Sequence, residues 1–214
     1  MYKYLMMDRI SYYNFSRAKR VLDVFLSSVI IIVLLPFFIL FLPFILLRYP
    51  IFFTQIRVGK NNKGFKLYKF RTMKINSHNE RNKYLKLNEA DGPVFKIKND
   101  PRFTKFGKIL SRTGLDELPQ VLNVIRGEMS FVGSRPLPQY EFNKLTKKQK
   151  IRNSIKPGIT SLWVIYGSHN LSFDEWMKLD KKYIEEANLF MDMKIILKTM
   201  QIPLKAFISL VLNN

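Results

Sequence analysis

The longest apolar stretch of the chain is residues 24–47, which contain no charged side chain. As a straight α-helix rising ~1.5 Å per residue, it would reach about 36 Å, enough to cross a bilayer. Basic residues flank it on both sides, so the positive-inside rule draws both ends towards the cytoplasm. Pro36, near its middle, removes a backbone hydrogen bond and frees a carbonyl near Ile32 that Ser28 or neighbouring protein could satisfy. The pattern favours a re-entrant membrane helix broken at Pro36, with a transmembrane span as the alternative.

Beyond this stretch, alternating and helical patterns of apolar residues predict one mixed domain. Residues 51–57 and 65–72 are rich in β-formers and are separated by a loop with a glycine near each end, which predicts a hairpin. The polar residues 77–100 predict a mobile excursion or a short helix. Apolar side chains at helical spacing predict further helices, at residues 103–110, 115–125, 139–152 and 173–187.

The last apolar stretch, residues 189–212, carries three interspersed lysines. Such a pattern is typical of a helix that lies on a membrane surface with its cations in the headgroup region. A helix of the protein core fits the same pattern equally well, so both interpretations stay open.

Composition limits the chemistry that this chain can perform. Its 214 residues suffice for one sizeable core, or for one domain with a membrane element. A formal charge of +20 attracts nucleic acid, nucleotide phosphates or an anionic bilayer surface. The absence of cysteine excludes disulfides and cysteine nucleophiles, and two histidines leave little for a zinc site or a Ser-His-Asp triad.

Three cations are candidates for binding phosphate. Lys69 and Arg71 lie two positions apart in the second predicted strand, so alternation places them on one face, about 7 Å apart at their origins. Arg135 follows a buried apolar run at a tight turn, where a guanidinium is a suitable phosphate anchor. The alternative for each is an exposed cation on a basic protein.

Asp116 and Glu117 are adjacent carboxylates at a predicted helix start, with Thr113 as a candidate N-cap. The unpaired N–H groups and the dipole there favour an anion, which would keep Asp116 ionised and able to act as a nucleophile or a metal ligand. Adjacent helical residues face different directions, so the two carboxylates are expected to have different roles. The alternative is that both merely complement the helix dipole.

Several ordered motifs extend over nearly the whole chain. They are AKRVLD at residues 18–23, FTQIRVG at 53–59, YKFRTM at 68–73, DPRFTKFG at 100–107, LDELPQ at 115–120, GEMS at 127–130, VGSRP at 132–136 and KPGIT at 156–160. Together they resemble the bacterial sugar transferases, also called monotopic phosphoglycosyl transferases, in their minimal form without an additional N-terminal transmembrane bundle.

The resemblance implies an α/β, or α+β, catalytic core with a proline-broken re-entrant membrane helix and interfacial amphipathic helices. The expected parts are the basic segment and membrane helix (1–50), the cytoplasmic catalytic domain (51–188) and the C-terminal amphipathic helix (189–214). The protein is then expected on the cytoplasmic face of the bacterial inner membrane. Its expected partners are the lipid bilayer, a UDP-sugar and polyprenyl phosphate, with downstream glycosyltransferases as further candidates.

The resemblance also implies a mechanism. Asp116 would attack the β-phosphorus of the UDP-sugar, release UMP and form a covalent phosphosugar intermediate that polyprenyl phosphate captures, initiating glycan synthesis. Mg²⁺ is the implied cofactor, bound near Asp116 and the diphosphate. Glu117 would orient the nucleophile or accept a proton, and the phosphates would be bound by three cations. Those cations are Lys69, Arg71 and Arg135.

Three positions depart from the pattern of this family. Ser134 stands where a proline is usual, which would loosen the turn before Arg135. Ser168 stands where an arginine is common, with His169 as a candidate substitute for one nucleotide or sugar contact. Leu35 precedes Pro36 where a serine often stands, so the break in the membrane helix is encoded less strongly.

A different class of protein stays open: a basic membrane-anchored protein that binds anionic lipid or nucleic acid without catalysis. Its binding would fall steeply with salt and would not need Asp116. The basic residues lie in specific turns beside an acidic pair, rather than in one block or among stacking aromatic residues. This distribution disfavours the binding class, and nucleic acid is not an expected partner.

Overall fold

The computed structural model of the protein describes residues 10–46, 50–77, 79–167 and 171–212. The α-helices in these ranges are α1 (Arg17–Leu46), α2 (Lys105–Thr113), α3 (Val121–Ile125), α4 (Gln139–Phe142), α5 (Leu162–Ile165), α6 (Phe173–Glu186) and α7 (Leu189–Leu212). The strands are β1 (Phe52–Val58), β2 (Gly64–Phe70), β3 (Ser130–Val132), β4 (Leu137–Pro138) and β5 (Gly158–Thr160). Short 3₁₀ turns lie at Tyr12–Phe15, Lys60–Asn62, Asn79–Leu87, Leu115–Gln120 and Gln149–Ser154.

Two small sheets form the scaffold, so the fold mixes helix and sheet as predicted. β1 lies between β2 and β4 in an antiparallel sheet, and β3 pairs in parallel with β5. The register of the β1–β2 hairpin sets Phe53 opposite Lys69. The predicted hairpin is confirmed, with β2 ending one residue before Arg71.

The larger hydrophobic cluster joins side chains of β2, α3, β3 and α6. Val124, Met129 and Ile184 at its centre have no exposed area. Each such side chain contributes roughly 1.5–3 kcal/mol by leaving water. The first half of α1 packs against the same cluster through Leu26 and Ile30, so the beginning of this long helix is part of the domain.

Several predicted helices are confirmed. α2, α6 and α7 lie where the spacing of apolar residues predicts them, and α6 begins with a capping box between Ser172 and Glu175. Residues 77–100 contain the predicted short helix as a 3₁₀ turn. Residues 115–125 form a 3₁₀ turn followed by the short α3, and Pro119, which lacks an N–H, lies inside that turn.

The predicted helix over residues 139–152 is wrong. Only α4 and a separate 3₁₀ turn, Gln149–Ser154, form there. The Thr146 hydroxyl accepts a hydrogen bond from Gln149 N, and the Gln149 side chain accepts one from Thr146 N. This reciprocal cap starts a new turn instead of continuing the helix.

The predicted break at Pro36 does not interrupt α1, which is helical from Arg17 to Leu46. A proline keeps a φ compatible with a helix and removes one hydrogen bond, so the helix continues on either side. The Ser28 hydroxyl donates to the carbonyl of Val24 at 2.9 Å and not to the carbonyl near Ile32. None of the described helices combines the length and the apolarity needed to cross a membrane.

Buried polar contacts bind the base of α1 to the domain. Lys19 Nζ donates to the carbonyl of Val132 at 3.1 Å, to the Tyr183 hydroxyl at 2.8 Å and to the Asp192 carboxylate at 2.6 Å. One turn further along, the Asp23 carboxylate accepts two hydrogen bonds from β3 at 2.9 Å. These contacts join α1 to β3, α6 and α7.

Candidate active site

The packing of β2 against the 3₁₀ turn Leu115–Gln120 brings Lys69 to the acidic pair. Lys69 Nζ lies 2.8 Å from Asp116 Oδ2 and 3.9 Å from Glu117 Oε1. Both carboxylates therefore reach one ammonium group, although neighbours in a regular helix face different directions.

The turn that carries the acidic pair does not begin as predicted. Thr113 is not its N-cap, because the Thr113 hydroxyl donates to the carbonyls of Ile109 and Leu110 inside α2. Gly114 occupies that position instead, with a left-handed φ of 72° that also ends α2. The turn thus starts sharply after α2 and presents Asp116 towards β2.

The two carboxylates have different surroundings. The Asp116 side chain is 4% exposed and that of Glu117 is 20% exposed. Burial raises the pKa of Asp116, and the ammonium of Lys69 is the main opposing influence. Desolvation therefore opposes the stabilisation of ionised Asp116 that its position at the helix start predicts. Burial acts on Glu117 as well, but Arg135, Lys69 and Arg57 hold the pKa of Glu117 below its usual value.

Arg135 lies on the turn between β3 and β4, with its Nη1 3.3 Å from Glu117 Oε1. The Ser134 hydroxyl donates to the carbonyl of Arg152 at 2.9 Å, and Arg152 Nη2 donates to the carbonyl of Arg135 at 2.7 Å. Ser134, expected to loosen this turn, is instead buried and hydrogen-bonded within it. The Arg135 guanidinium also lies 5.8 Å from the ring centre of Trp163. Arg135 is thus held at the edge of the acidic pair.

Arg71 is not part of this cluster. Its Nε donates to the carbonyl of Pro50 at 2.7 Å, and its Nη2 donates to that of Phe52 at 3.2 Å. The strand ends at Phe70, so the alternation that placed Arg71 beside Lys69 does not extend to it. Arg71 secures the start of β1, and its binding of phosphate stays a prediction.

A small pocket opens beside Lys69. It is lined by Arg57, Leu67, Lys69, Glu117, Gln120, Arg135, Pro136 and Gly158. Arg57 and Gln120 are absent from the predicted site, although both belong to the sequence motifs. Arg57 Nη1 donates to the carbonyl of Pro136 at 3.1 Å, and burial together with Arg135 lowers the pKa of Arg57 to about 10. The pocket therefore presents three cations to any anion that enters it.

The acidic pair is the part of the site suited to a metal ion. In the described parts of the chain, no three His, Asp or Glu side chains come together as a metal site. Mg²⁺, however, is commonly bound by one or two carboxylates, with water and substrate phosphates filling its other positions. Asp116 and Glu117 fit that donor set. Ser168 and His169 lie outside the described residues.

Comparisons with known proteins connect this site to a family. The family model described as bacterial sugar transferase matches residues 14–206, which include every residue of the site. The chain is 46% identical over 156 residues to the galactosyl transferase CpsE of Streptococcus agalactiae, covering 72% of this chain and 35% of that protein. It is 35% identical over 190 residues to the exopolysaccharide production protein ExoY of Rhizobium meliloti, covering 85% and 83%.

A third relative is the undecaprenyl-phosphate galactose phosphotransferase of Salmonella typhimurium, 34% identical over 197 residues. The alignment covers 87% of this chain and 40% of that protein. The chain therefore spans less than half the length of the Streptococcus and Salmonella relatives, and most of the length of ExoY. Because a family model matches from just before α1 to well within α7, the chain belongs to the bacterial sugar transferase family.

Proposed function

We propose that the protein is a phosphoglycosyl transferase, which moves a sugar 1-phosphate from a UDP-sugar to polyprenyl (undecaprenyl) phosphate and releases UMP. The observation that carries the proposal is a buried carboxylate, Asp116, held 2.8 Å from Lys69 next to a pocket lined by Arg57 and Arg135. A carboxylate can attack phosphorus, and the cations complement the charge of a diphosphate. The name of the Salmonella relative supports a lipid phosphate as the acceptor.

In the proposed reaction, an oxygen of the Asp116 carboxylate attacks the β-phosphorus of the donor. The bond between that phosphorus and the bridging oxygen breaks, its electron pair leaves with UMP, and an aspartyl phosphosugar forms. An oxygen of polyprenyl phosphate then attacks the same phosphorus. The bond to Asp116 breaks, which regenerates the carboxylate and yields a polyprenyl diphosphate sugar.

The neighbouring side chains stabilise charge at different points of this reaction. Asp116 loses its negative charge when the acyl phosphate forms, so Lys69 becomes available to a phosphate oxygen. Arg57 and Arg135 are positioned at the pocket to bind the diphosphate. Glu117, which is held near Lys69 and Arg135, orients them or accepts a proton from the acceptor phosphate. Bound by Asp116 and Glu117 together with the diphosphate, Mg²⁺ would neutralise developing oxygen charge.

We further propose that α1 and α7 hold the domain at the cytoplasmic face of the inner membrane, with α1 re-entrant. Ile39 and Leu40 in the second half of α1 are 63% and 68% exposed. In α7 Ile195 is buried, whereas Met200 and Leu204 are 67% and 60% exposed. Exposed apolar stripes of this kind favour contact with lipid. α7 thus combines both interpretations of its sequence, with its first turns in the core and its later turns interfacial.

The reaction is tested by measuring UMP release from a panel of UDP-sugars by the full chain with Mg²⁺ and undecaprenyl phosphate. We expect release with one donor, its loss in Asp116→Asn, and unchanged release in Asp174→Asn, which alters an exposed aspartate on α6. Mass spectrometry of the native chain without acceptor should detect the phosphosugar on Asp116. Equal release by Asp116→Asn would overturn the assignment. Salt-sensitive binding to lipid or nucleic acid without release from any donor would support the binding class instead.

A further inference from the structure

Asn123, a residue of α3, is a fully buried amide whose side chain contacts β2, outside the pocket. Its Nδ2 donates to the carbonyl of Lys66 and to the Glu128 carboxylate, both at 2.7 Å. Its Oδ1 accepts a hydrogen bond from Tyr68 N at 3.2 Å. Both Nδ2 protons and the Oδ1 acceptor are therefore used, and all of these contacts are with groups from other segments or from the turn after α3.

Two of these hydrogen bonds fill the outer edge of β2. β1 pairs with the opposite edge, and a carbonyl and an N–H two residues apart in a strand point to the same edge. The Asn123 amide thus takes the place of one residue of a neighbouring strand opposite Lys66 and Tyr68. An aspartate cannot donate, and an aliphatic side chain can neither donate nor accept. The contact requires an amide of this length.

The two segments that Asn123 joins carry the two members of the ion pair. Lys69 directly follows Tyr68, and Asp116 lies on the turn that leads straight into α3. Arg126, just after α3, adds a second link by donating to the Tyr68 hydroxyl at 2.6 Å. We infer that Asn123 is a positioning residue that sets the distance between the Lys69 ammonium and the Asp116 carboxylate. The inference deepens the proposed function and rests on it.

Asn123→Asp is the direct test. The new carboxylate faces the Lys66 carbonyl and the Glu128 carboxylate, so it repels both and loosens β2 from α3. Lys69 and Asp116 then move apart, because they lie on the two segments that this contact joins. We expect UMP release to fall on the order of 10- to 100-fold, as for a displacement of about 1 Å. We expect this loss in kcat with little change in the donor KM, because Arg57 and Arg135 of the pocket lie on other segments.

A second variant separates positioning from folding. In Asn123→Asp combined with Glu128→Gln, the new amide donates to the aspartate, so the repulsion disappears while the Lys66 carbonyl still lacks its donor. We expect thermal stability to recover and kcat to stay low. Asn153→Asp is the matched control, because buried Asn153 donates to the carbonyl of Gly59 at the far end of the hairpin. It should lower stability without lowering kcat.

A readout without turnover keeps this inference separate from the proposed function. A crystal structure of each variant of the full chain measures the distance from Lys69 Nζ to Asp116 Oδ2, which should exceed the 2.8 Å of the native chain in both Asn123 variants. If the native chain releases no UMP, the proposed function fails, whereas the comparison of distances still tests Asn123. An unchanged distance in both Asn123 variants, or an equal change in Asn153→Asp, would overturn the positioning role.

Discussion

At the scale of single residues, the site separates two neighbouring carboxylates by their surroundings. Asp116 is buried and close to one cation, so its ionisation is costly and its charge is concentrated against Lys69. Glu117 is nearer to water and lies among Lys69, Arg57 and Arg135, which hold its pKa low. In the proposed reaction Asp116 has to lose its charge and regain it, which suits a carboxylate whose ionised form is disfavoured by burial.

The first prediction at this scale concerns Arg57. Arg57→Ala removes a pocket cation and should raise the donor KM by about 10- to 100-fold, since a charged hydrogen bond contributes ~1.5–3 kcal/mol. Arg57→Lys should recover only part of this loss, because an ammonium cannot bind two oxygens side by side. Arg112→Ala removes an exposed charge on α2 and is the control. Steady-state UMP release measures the donor KM of each variant. An equal KM in Arg57→Ala and Arg112→Ala would contradict a role of Arg57 in binding the donor.

Arg71→Ala extends the same measurement. Because Arg71 binds the carbonyls of Pro50 and Phe52 rather than lining the pocket, the structure predicts a smaller change in donor KM than for Arg57→Ala. A larger change would support direct phosphate binding by Arg71, as the sequence motif predicts.

The second prediction concerns pH. The pKa of Asp116 is higher in the folded chain than in the unfolded chain, so the folded state binds more protons between the two values. The free energy of unfolding therefore falls as pH rises through the folded-state pKa. Asp116→Asn lacks this dependence, and its stability relative to the native chain should increase over the same range in which native activity rises. Denaturant unfolding at several pH values measures the free energy of unfolding of both chains. If it changes with pH to the same extent in both, Asp116 does not contribute to the pH dependence of stability.

Most residues of the candidate active site could be predicted from the sequence, because short motifs identify both their chemistry and their local structure. Lys69, Asp116, Glu117 and Arg135 each stand in a short motif that indicates strand, turn or helix start. Arg57 was missed, since its entry into the pocket depends on the pairing of β1 with β4, where Arg57 lies opposite Pro138. No pattern within residues 53–59 contains that information.

At the scale of elements, the spacing of apolar residues correctly predicts those helices and strands whose formation depends mainly on nearby residues. The hairpin, α2, α6 and α7 are encoded by neighbouring residues, and their positions are confirmed. Residues 139–152 have helical spacing too, but the cap between Thr146 and Gln149 divides them. Pro36 shows the opposite case: a residue that breaks helices in water lies within a continuous helix. The division of residues 139–152 arises from a side-chain contact that spacing alone does not encode.

The third prediction tests how elements are joined. Lys19→Met leaves the Asp192 carboxylate, which is 2% exposed, without its cation and should cost roughly 3–5 kcal/mol in the free energy of unfolding. Adding Asp192→Asn removes the uncompensated charge and should recover part of that loss. The control is Lys182→Met, whose surface pair with Glu186 is worth less than ~1 kcal/mol. Denaturant unfolding in detergent micelles would refute the prediction if Lys19→Met and Lys182→Met cost the same.

At the scale of the whole molecule, both flanks of α1 fold into one body. Ser11, before α1, donates its backbone N–H to the carbonyl of Ile184 at 2.8 Å, and β1, after α1, pairs with β2 and β4. In the second half of α1, the apolar side chains of Ile39 and Leu40 are exposed. A formal charge of +20 would attract this body to an anionic leaflet. This connectivity favours a re-entrant course, because a span would place the two flanks on opposite sides.

The fourth prediction tests that course. The chain has no cysteine, so Tyr12→Cys and Lys144→Cys each introduce a single thiol at an exposed position, before α1 and within the domain. A membrane-impermeant maleimide should label both in inside-out vesicles and neither in intact cells. Labelling of the two positions from opposite sides would show that α1 spans the bilayer. Labelling of both from outside would keep the re-entrant course and overturn the cytoplasmic face, where the UDP-sugar donor has to be available to the site.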